Sequence, residues 1–259
     1  MKKSLVRWSA TLGLLGTTLM GSSLLGNMPA VALPEAQIIP KLQPVPVFTI
    51  TDAQGAPLVA SVDNGPKKGA VAGVFISQKD AQAFIDRLNK EKPALAKTVK
   101  VVPVSLAEVY KLAQANKDKK DALDFAYVPV QQQVQSAVTL LRQSDPKVQQ
   151  FAGVPLFAAR GGKDKGYLTI QQDNKPVIPF FFDKEQLQSM VDRFKQQQPA
   201  MASTIEIQVV PLEGVIQTLK SSNNQQLNNI MLIPSRESMQ FLQSLPASGP
   251  AQAQPQQRR

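Results

Sequence analysis

The feature that most constrains the fold is a set of short phrases that occurs twice, in the same order, along the 259-residue chain. The phrase VPVF at residues 45–48 returns as VPLF at residues 154–157. Three further blocks recur: 74–88 as 180–194, 101–103 as 209–211, and 127–129 as 233–234. Ordered self-similarity indicates repeated structural units. The sequence therefore predicts two tandem copies, over residues 45–145 and 146–245.

Each copy predicts the same succession of elements: strands, a helix, a buried strand, a second helix, a short strand and a last helix. The first helix of each copy carries apolar residues at the spacing of one helical face: Ala81, Phe84, Ile85 and Leu88, then Leu187, Met190, Val191 and Phe194. Ser77 and Asp183 stand at the expected N-caps, and Pro93 and Pro199 end these helices. The prediction is a mixed α+β fold of two pseudo-symmetric tandem repeats, each a small sheet packed with about three helices.

The amino terminus has the pattern of a secretory signal. Lys2, Lys3 and Arg7 precede an apolar run over 12–25, and the small residues Ala30 and Ala32 form a cleavage site. A removable signal peptide over residues 1–32 is the preferred interpretation. An uncleaved membrane anchor is the alternative, although the glycines in the run make it weakly hydrophobic for a membrane span.

Two other segments are predicted to lie outside the repeats. Residues 33–44 are expected to form a linker between the signal and the first copy. Residues 246–259 are rich in Pro and Gln, so a disordered tail is expected there.

Composition excludes several kinds of chemistry. The chain has no His and no Cys, so an imidazole base, a thiolate nucleophile and the usual structural zinc site are absent. The formal net charge is +10, but the cations are scattered and form no basic stripe with interleaved aromatic residues. We therefore expect no enzyme activity, no cofactor, no metal, no nucleic-acid partner and at most peripheral membrane contact.

The phrases VPVFTITDAQGAPL, GVFISQKDAQAFIDRL and VKVVPVSLAEVYKL, with the weaker second copy led by GVPLFAARGG and PFFFDKEQLQSMVDRF, resemble the Tic-twenty-two family. This family comprises an intermembrane-space component of the chloroplast import machinery and its cyanobacterial relatives. The resemblance covers roughly residues 45–245. The bacterial type of signal peptide favours the cyanobacterial branch.

The resemblance implies a two-lobed protein that acts as a chaperone-like factor in protein transport or outer-membrane biogenesis. Its implied partners are polypeptide clients such as outer-membrane protein precursors, with outer-membrane assembly or translocon components as further partners. The implied location is the periplasm, with the thylakoid lumen or the plastid intermembrane space as alternatives. A non-chaperone scaffold or adaptor for envelope machinery is the second function class, and a small-ligand binder or enzyme is the third.

The most apolar segment of the repeats is the candidate client-binding site. It centres on three consecutive phenylalanines, and its other members are Met190, the VPLF phrase and the matching positions of the first copy. Aromatic and Met side chains suit such a groove because they adapt and bury a large area. The alternative is a strand buried on both faces of a sheet. The candidate residues are Phe180, Phe181, Phe182, Met190, Phe157, Val74, Phe75 and Ile76.

Two other patterns predict no site. The GGKDKG segment at 161–166 lacks the Gly-Lys-Ser/Thr ending of a phosphate loop, so a turn between two strands is predicted. Asp118, Asp121 and Asp124 do not have the spacing of a calcium loop, and lysines intervene, so a solvated helix end is predicted.

Overall fold

Two β-sheets with helices on both sides make up the protein. The computed structural model describes residues 13–14, 33–64, 67–117, 119, 123–222 and 224–244. The strands are β1 (Gly13–Leu14), β2 (Pro46–Asp52), β3 (Val59–Asn64), β4 (Lys67–Phe75), β5 (Val99–Ser105), β6 (Leu123–Val128), β7 (Pro155–Gly161), β8 (Gly166–Gln172), β9 (Lys175–Phe181), β10 (Glu206–Pro211) and β11 (Ile230–Ile233). The helices are α1 (Glu35–Leu42), α2 (Gln78–Glu91), α3 (Pro93–Ala96), α4 (Leu106–Asn116), α5 (Gln131–Arg142), α6 (Lys184–Gln197), α7 (Leu212–Ser221) and α8 (Arg236–Ser244), with 3-10 turns at Pro199–Thr204 and Gln225–Asn229.

The two sheets use one pattern of strand pairing. In the first sheet β2 pairs antiparallel with β4 and β5, and β4 pairs parallel with β6 and antiparallel with β3. In the second sheet β7 pairs antiparallel with β9 and β10, and β9 pairs parallel with β11 and antiparallel with β8. The mixed α+β fold class predicted from the sequence is confirmed. Superposition of the two halves as copies of one unit stays a prediction.

Three buried clusters form the core. The central cluster lies between the two sheets and takes residues from β2, β4, β7, β9, α1, α4 and α7. A second cluster lies on the outer face of β7 and β9 under α6, and a third lies on the outer face of β2 and β4 under α2. Alternate side chains of each central strand therefore enter different clusters.

Helix α1 corrects the prediction of a linker over residues 33–44. Ile38 and Leu42 of this helix are buried in the central cluster. The Lys41 ammonium donates hydrogen bonds to the backbone carbonyls of Asn228, at 2.7 Å, and Ile230, at 3.1 Å. Burial lowers the pKa of Lys41. The segment is short and contains prolines, which obscured its one apolar face.

The predicted ends of the chain are described only in small part. Gly13–Leu14 of the predicted signal peptide pairs antiparallel with β8. The remainder of residues 1–32, including Ala30 and Ala32, and the predicted tail at 246–259 lie outside the described residues. None of the described helices is long and apolar enough to cross a membrane.

The last helix of each half packs on the sheet of the other half. Helix α5 contacts β7 and β10, and its Ala137 is buried beside Phe157. Helix α8 contacts β2, and the Phe241 ring meets the buried Phe48 ring edge-on at 5.2 Å between centroids. This exchange makes each outer cluster depend on both halves.

Cross-half hydrogen bonds fix the exchanged helices. The Ser77 hydroxyl donates to the Glu237 carboxylate at 3.0 Å, and the Lys79 N–H donates to Glu237 at 3.1 Å. In the other half the Lys184 N–H donates to Gln133 Oε1 at 3.0 Å. Each exchanged helix therefore caps the first helix of the opposite half.

The two predicted N-caps behave differently. Ser77 accepts from the Asp80 N–H at 3.2 Å, so the first cap is confirmed. Asp183 stands at the N-cap position of α6 as predicted, but its side chain makes no hydrogen bond to that helix. Its Oδ2 accepts from the Arg236 N–H at 2.9 Å, at the start of α8. The carboxylate caps a helix distant in sequence, which a local pattern does not reveal.

Replacement of Phe241 by alanine tests the helix exchange. The Phe241→Ala variant should lose about 2–3 kcal/mol of unfolding free energy, because the truncation opens a cavity against Phe48. The Met239→Ala variant, on the exposed side of α8, should stay within about 0.5 kcal/mol of the wild type. Urea unfolding measures both, and equal losses would contradict the packing of α8 on the first sheet.

Replacement of Asp183 by asparagine tests the electrostatics of the contact between Asp183 and the start of α8. Burial raises the pKa of Asp183, and Glu185 and Glu237 raise it further, against the opposing effect of Arg236. A raised pKa means that the folded protein holds the proton more tightly, so this stabilisation is full below about pH 4 and is lost as pH rises through the folded pKa. The Asp183→Asn variant keeps the acceptor and cannot ionise.

We therefore expect the stability of the wild type, relative to Asp183→Asn, to fall as pH rises from about 4 to 7. Urea unfolding of both proteins across that range measures the difference. A relative stability that rises with pH would contradict the assignment.

Candidate functional site

The three consecutive phenylalanines are core residues. Their exposed fractions are 3% for Phe180, 4% for Phe181 and 3% for Phe182. Phe180 and Phe182 enter the central cluster, whereas Phe181 points to the opposite face beside Phe157 and Val191. The exposure of these side chains agrees with the alternative interpretation, a strand buried on both faces, although Phe180 also lines the groove described below.

The other candidate residues are also in the core or against it. Val74 and Ile76 are buried in the central cluster, and Phe75 is buried under α2. Phe157 is fully buried under α6, and Met190 packs half-buried against the same cluster. The eight residues therefore divide among three clusters and do not form one exposed apolar patch.

An open groove of about 340 Å³ lies in the second half, over the inner face of β9. One of the predicted residues, Phe180, lines it. Helix α7 forms a wall, and the 3-10 turn before β11 forms another. The lining residues are Tyr167, Ile178, Phe180, Val210, Pro211, Gly214, Val215, Thr218, Asn224, Gln226, Leu227 and Ile230.

The groove has an aromatic wall and no charged lining residue. The Tyr167 ring lies 5.5 Å from the Phe180 ring, with an interplanar angle of 50°. The guanidinium of Arg160 lies over the Tyr167 ring, 5.5 Å from its centroid. Burial raises the pKa of Tyr167, against the opposing effect of Arg160. An uncharged apolar group would gain contact area here without desolvating an ion.

Small residues on α7 keep the groove open. Gly214 and Thr218 are one turn apart on the helix side that faces it. The Thr218 hydroxyl donates a hydrogen bond to the Gly214 carbonyl at 2.8 Å, so its donor has a partner within the helix. A cavity of this size is at the lower end of the range for ligand sites, about 300–1,000 Å³. It can hold one large side chain or a short apolar segment.

A smaller cavity of about 280 Å³ lies in the first half, between α4 and β6. Its lining is more polar, since it includes Lys117 and Asp124. Burial raises the pKa of Tyr127 in its wall to about 12, and the charge of Glu213 contributes. The cavity of the first half is therefore more polar than the groove of the second half.

The two sequence patterns that predicted no site, GGKDKG and the three aspartates, form no site in the described structure. The GGKDKG segment connects β7 to β8 as predicted, with Gly162 at φ 77° and Lys165 at φ 48°. Asp118 and Asp121 lie outside the described residues. Within the described ranges no group of three or more carboxylates is placed to hold a metal ion.

Sequence reasoning missed most of the groove. Its residues come from six separate elements, and each looks like ordinary core or loop sequence by itself. Besides Phe180, the local signal was Gly214 within an amphipathic helix, since a glycine inside a helix often marks a packing or functional constraint.

The comparisons with known proteins agree with the resemblance in the sequence. The model of the Tic22-like family matches residues 3–244. The chloroplastic protein TIC 22 of Arabidopsis thaliana is 25% identical over 219 residues, which cover 84% of this chain and 75% of the relative. The chloroplastic TIC 22 of Pisum sativum is 24% identical over 220 residues, covering 83% of this chain and 80% of the relative.

Two solved structures share the fold. Anabaena Tic22, described as a protein of protein transport, has a TM-score of 0.74 and 36% sequence identity, and the match covers 83% of this chain and 98% of that one. Tic22 from Plasmodium falciparum has a TM-score of 0.62 at 20% identity, covering 79% and 95%, which shows likeness of fold. The strand order, the two-sheet core and the match across nearly the whole sequence have one explanation: the chain belongs to the Tic22-like family.

Proposed function

We propose that this chain is an exported, chaperone-like factor of protein transport, and that its groove receives apolar segments of polypeptide clients. Outer-membrane protein precursors are the client class that suits the proposal. The proposed location is the periplasm of a cyanobacterium, with the thylakoid lumen and the plastid intermembrane space as alternatives. Holding and releasing a client requires no chemical reaction by the protein.

The groove is the observation that carries this proposal. It combines an open mouth, an aromatic wall of Tyr167 and Phe180, and a lining without charged residues. Such a surface favours apolar side chains over charged ones, since a charge would lose its hydration without gaining a partner. Family membership supports a role in protein transport, the description given for Anabaena Tic22.

The size of the groove predicts weak, reversible holding. Burial of one large apolar side chain is worth about 1.5–3 kcal/mol, less than the roughly 4 kcal/mol that corresponds to millimolar affinity. A single groove contact therefore cannot retain a client. Additional contacts must contribute to client affinity. Weak binding suits a transport factor, because the client can dissociate.

A tryptophan at position 218 tests the proposal by filling the mouth of the groove. The Thr218→Trp variant should bind an unfolded outer-membrane β-barrel precursor about tenfold more weakly and suppress its aggregation less. Light scattering and fluorescence anisotropy measure the two effects, and thermal melts should be nearly unchanged because Thr218 is exposed.

The matched control is Thr139→Trp on α5. Thr139 is also an exposed helical threonine, and its hydroxyl donates to the carbonyl four residues earlier, at Gln135, at 2.9 Å. This variant should behave as the wild type. If the wild type itself fails to suppress aggregation, or if both variants retain full activity, the client-binding proposal fails and a scaffold or adaptor becomes the better account.

A further inference from the structure

The wall of the groove that the 3-10 turn Gln225–Asn229 forms, here called the turn wall, has few attachments of its own. Residues 221–229 contain one apolar side chain, that of Leu227, which is buried in the central cluster. The Asn224 side chain accepts a hydrogen bond from the Gln226 N–H at 2.9 Å, which stabilises the start of the turn. Polar segments with few buried contacts have low local stability. The turn wall therefore depends on what fixes its other end, next to β11.

Helix α1 supplies an attachment at that end. The Lys41 ammonium donates one hydrogen bond to the Asn228 carbonyl, at 2.7 Å, and another to the Ile230 carbonyl, at 3.1 Å. Asn228 lies in the turn, whereas Ile230 is the first residue of β11 and lines the groove. One side chain thus ties the turn wall to the strand that follows it.

The base from which Lys41 extends is itself fixed. Ile38 and Leu42 of α1 are buried in the central cluster, and the helix packs against both β11 and α7. β11 pairs with β9 over Ile230–Ile233 and, among the described residues, with no other strand. Both β9 and α1 therefore hold β11, and α1 alone of these two also reaches the turn through a side chain.

The charge on Lys41 is costly where it stands. Burial lowers the pKa of Lys41, because the charged form loses part of its hydration. No carboxylate in the described ranges forms an ion pair with this ammonium. Hydrogen bonds from a charged donor are shorter and stronger than neutral ones, so the two carbonyls are held firmly. The contact positions the backbone of the turn wall and neutralises no charge.

We propose that Lys41 is a positioning residue for client binding: by holding the carbonyls of Asn228 and Ile230 it fixes the turn wall, and so sets the affinity of the groove for apolar polypeptide segments. This inference rests on the proposed function and adds a residue that controls the same site. A preformed site binds more tightly than a mobile one, because less conformational freedom is lost on binding. Lys41 does not line the groove, so it acts on a client through the turn wall.

The Lys41→Met variant of the full chain tests this role. Methionine keeps an unbranched side chain and removes the three N–H donors. Binding of an unfolded outer-membrane β-barrel precursor, measured by fluorescence anisotropy, should weaken about tenfold because the turn wall loses its attachment. The Lys41→Arg variant keeps a cation with several donors and should bind within about twofold of the wild type.

The matched control is Arg142→Met at the end of α5. The Arg142 Nε donates to the Val148 carbonyl at 2.7 Å, so this change also removes a cation that holds a backbone carbonyl. Neither of these residues lines the groove, and the variant should bind the precursor as the wild type does. If Lys41→Met fails a thermal-melt check, Lys41→Gln takes its place and should also bind more weakly than the wild type.

A nitroxide label reports the motion of the turn wall directly. The chain contains no Cys, so Asn228→Cys provides one labelling site, on an exposed residue of the turn that does not line the groove. The electron paramagnetic resonance spectrum of this label should show faster motion with Lys41→Met and no change with Arg142→Met. A label at Thr139→Cys, on α5, should be unaffected by either change, whereas a general loss of stability would mobilise both labels.

Binding and label motion together separate this inference from the proposed function. Weaker precursor binding with a mobile turn wall, in Lys41→Met and not in Arg142→Met, supports the inference. A mobile turn wall with unchanged binding, or weaker binding with an unchanged label spectrum, overturns it and leaves the client-holding groove standing. A wild type that binds no precursor refutes the proposed function, and the role of Lys41 in binding with it.

Discussion

Burial of both inner sheet faces in one central apolar cluster is the constraint on which the rest of the structure depends. The side chains of Val47 and Val74 from one sheet share this cluster with Leu156 and Phe180 from the other. Neither sheet could expose that face to water without a large loss of free energy. The exchanged helices α5 and α8 then close the outer faces, so the two halves stabilise each other and form one folding unit.

This construction explains why the groove lies where it does. The central cluster must accommodate α1, α4 and α7 between the sheets, and α7 carries Gly214 and Thr218 where a larger residue would fill the space. The cavity beside α4 in the first half is lined in part by the charged residues Lys117 and Asp124. A duplicated pairing pattern thus leaves one apolar and one polar surface, and the apolar one is suited to holding unfolded segments.

The sequence predicted the elements well because their signals are local. The helical spacing of Leu187, Met190 and Val191, and the prolines at 93 and 199, indicated helices that the structure contains. It did not reveal that Asp183 caps α8 or that residues 35–42 enter the core, and it left open whether residues 180–182 line a groove or form a strand buried on both faces. Each of these depends on contacts between distant segments. An apolar run can indicate either a core strand or a binding surface, and only the packing of other elements distinguishes them.

The central claim is that the groove of the second half holds apolar client segments. Hydrogen–deuterium exchange with and without an unfolded outer-membrane precursor tests it most directly, since the matching elements of the first half provide an internal reference. We expect slower exchange in α7 and β8 on client binding, with little change in α4 and β3. Unchanged exchange in α7 and β8, or protection confined to α4 and β3, would contradict the account.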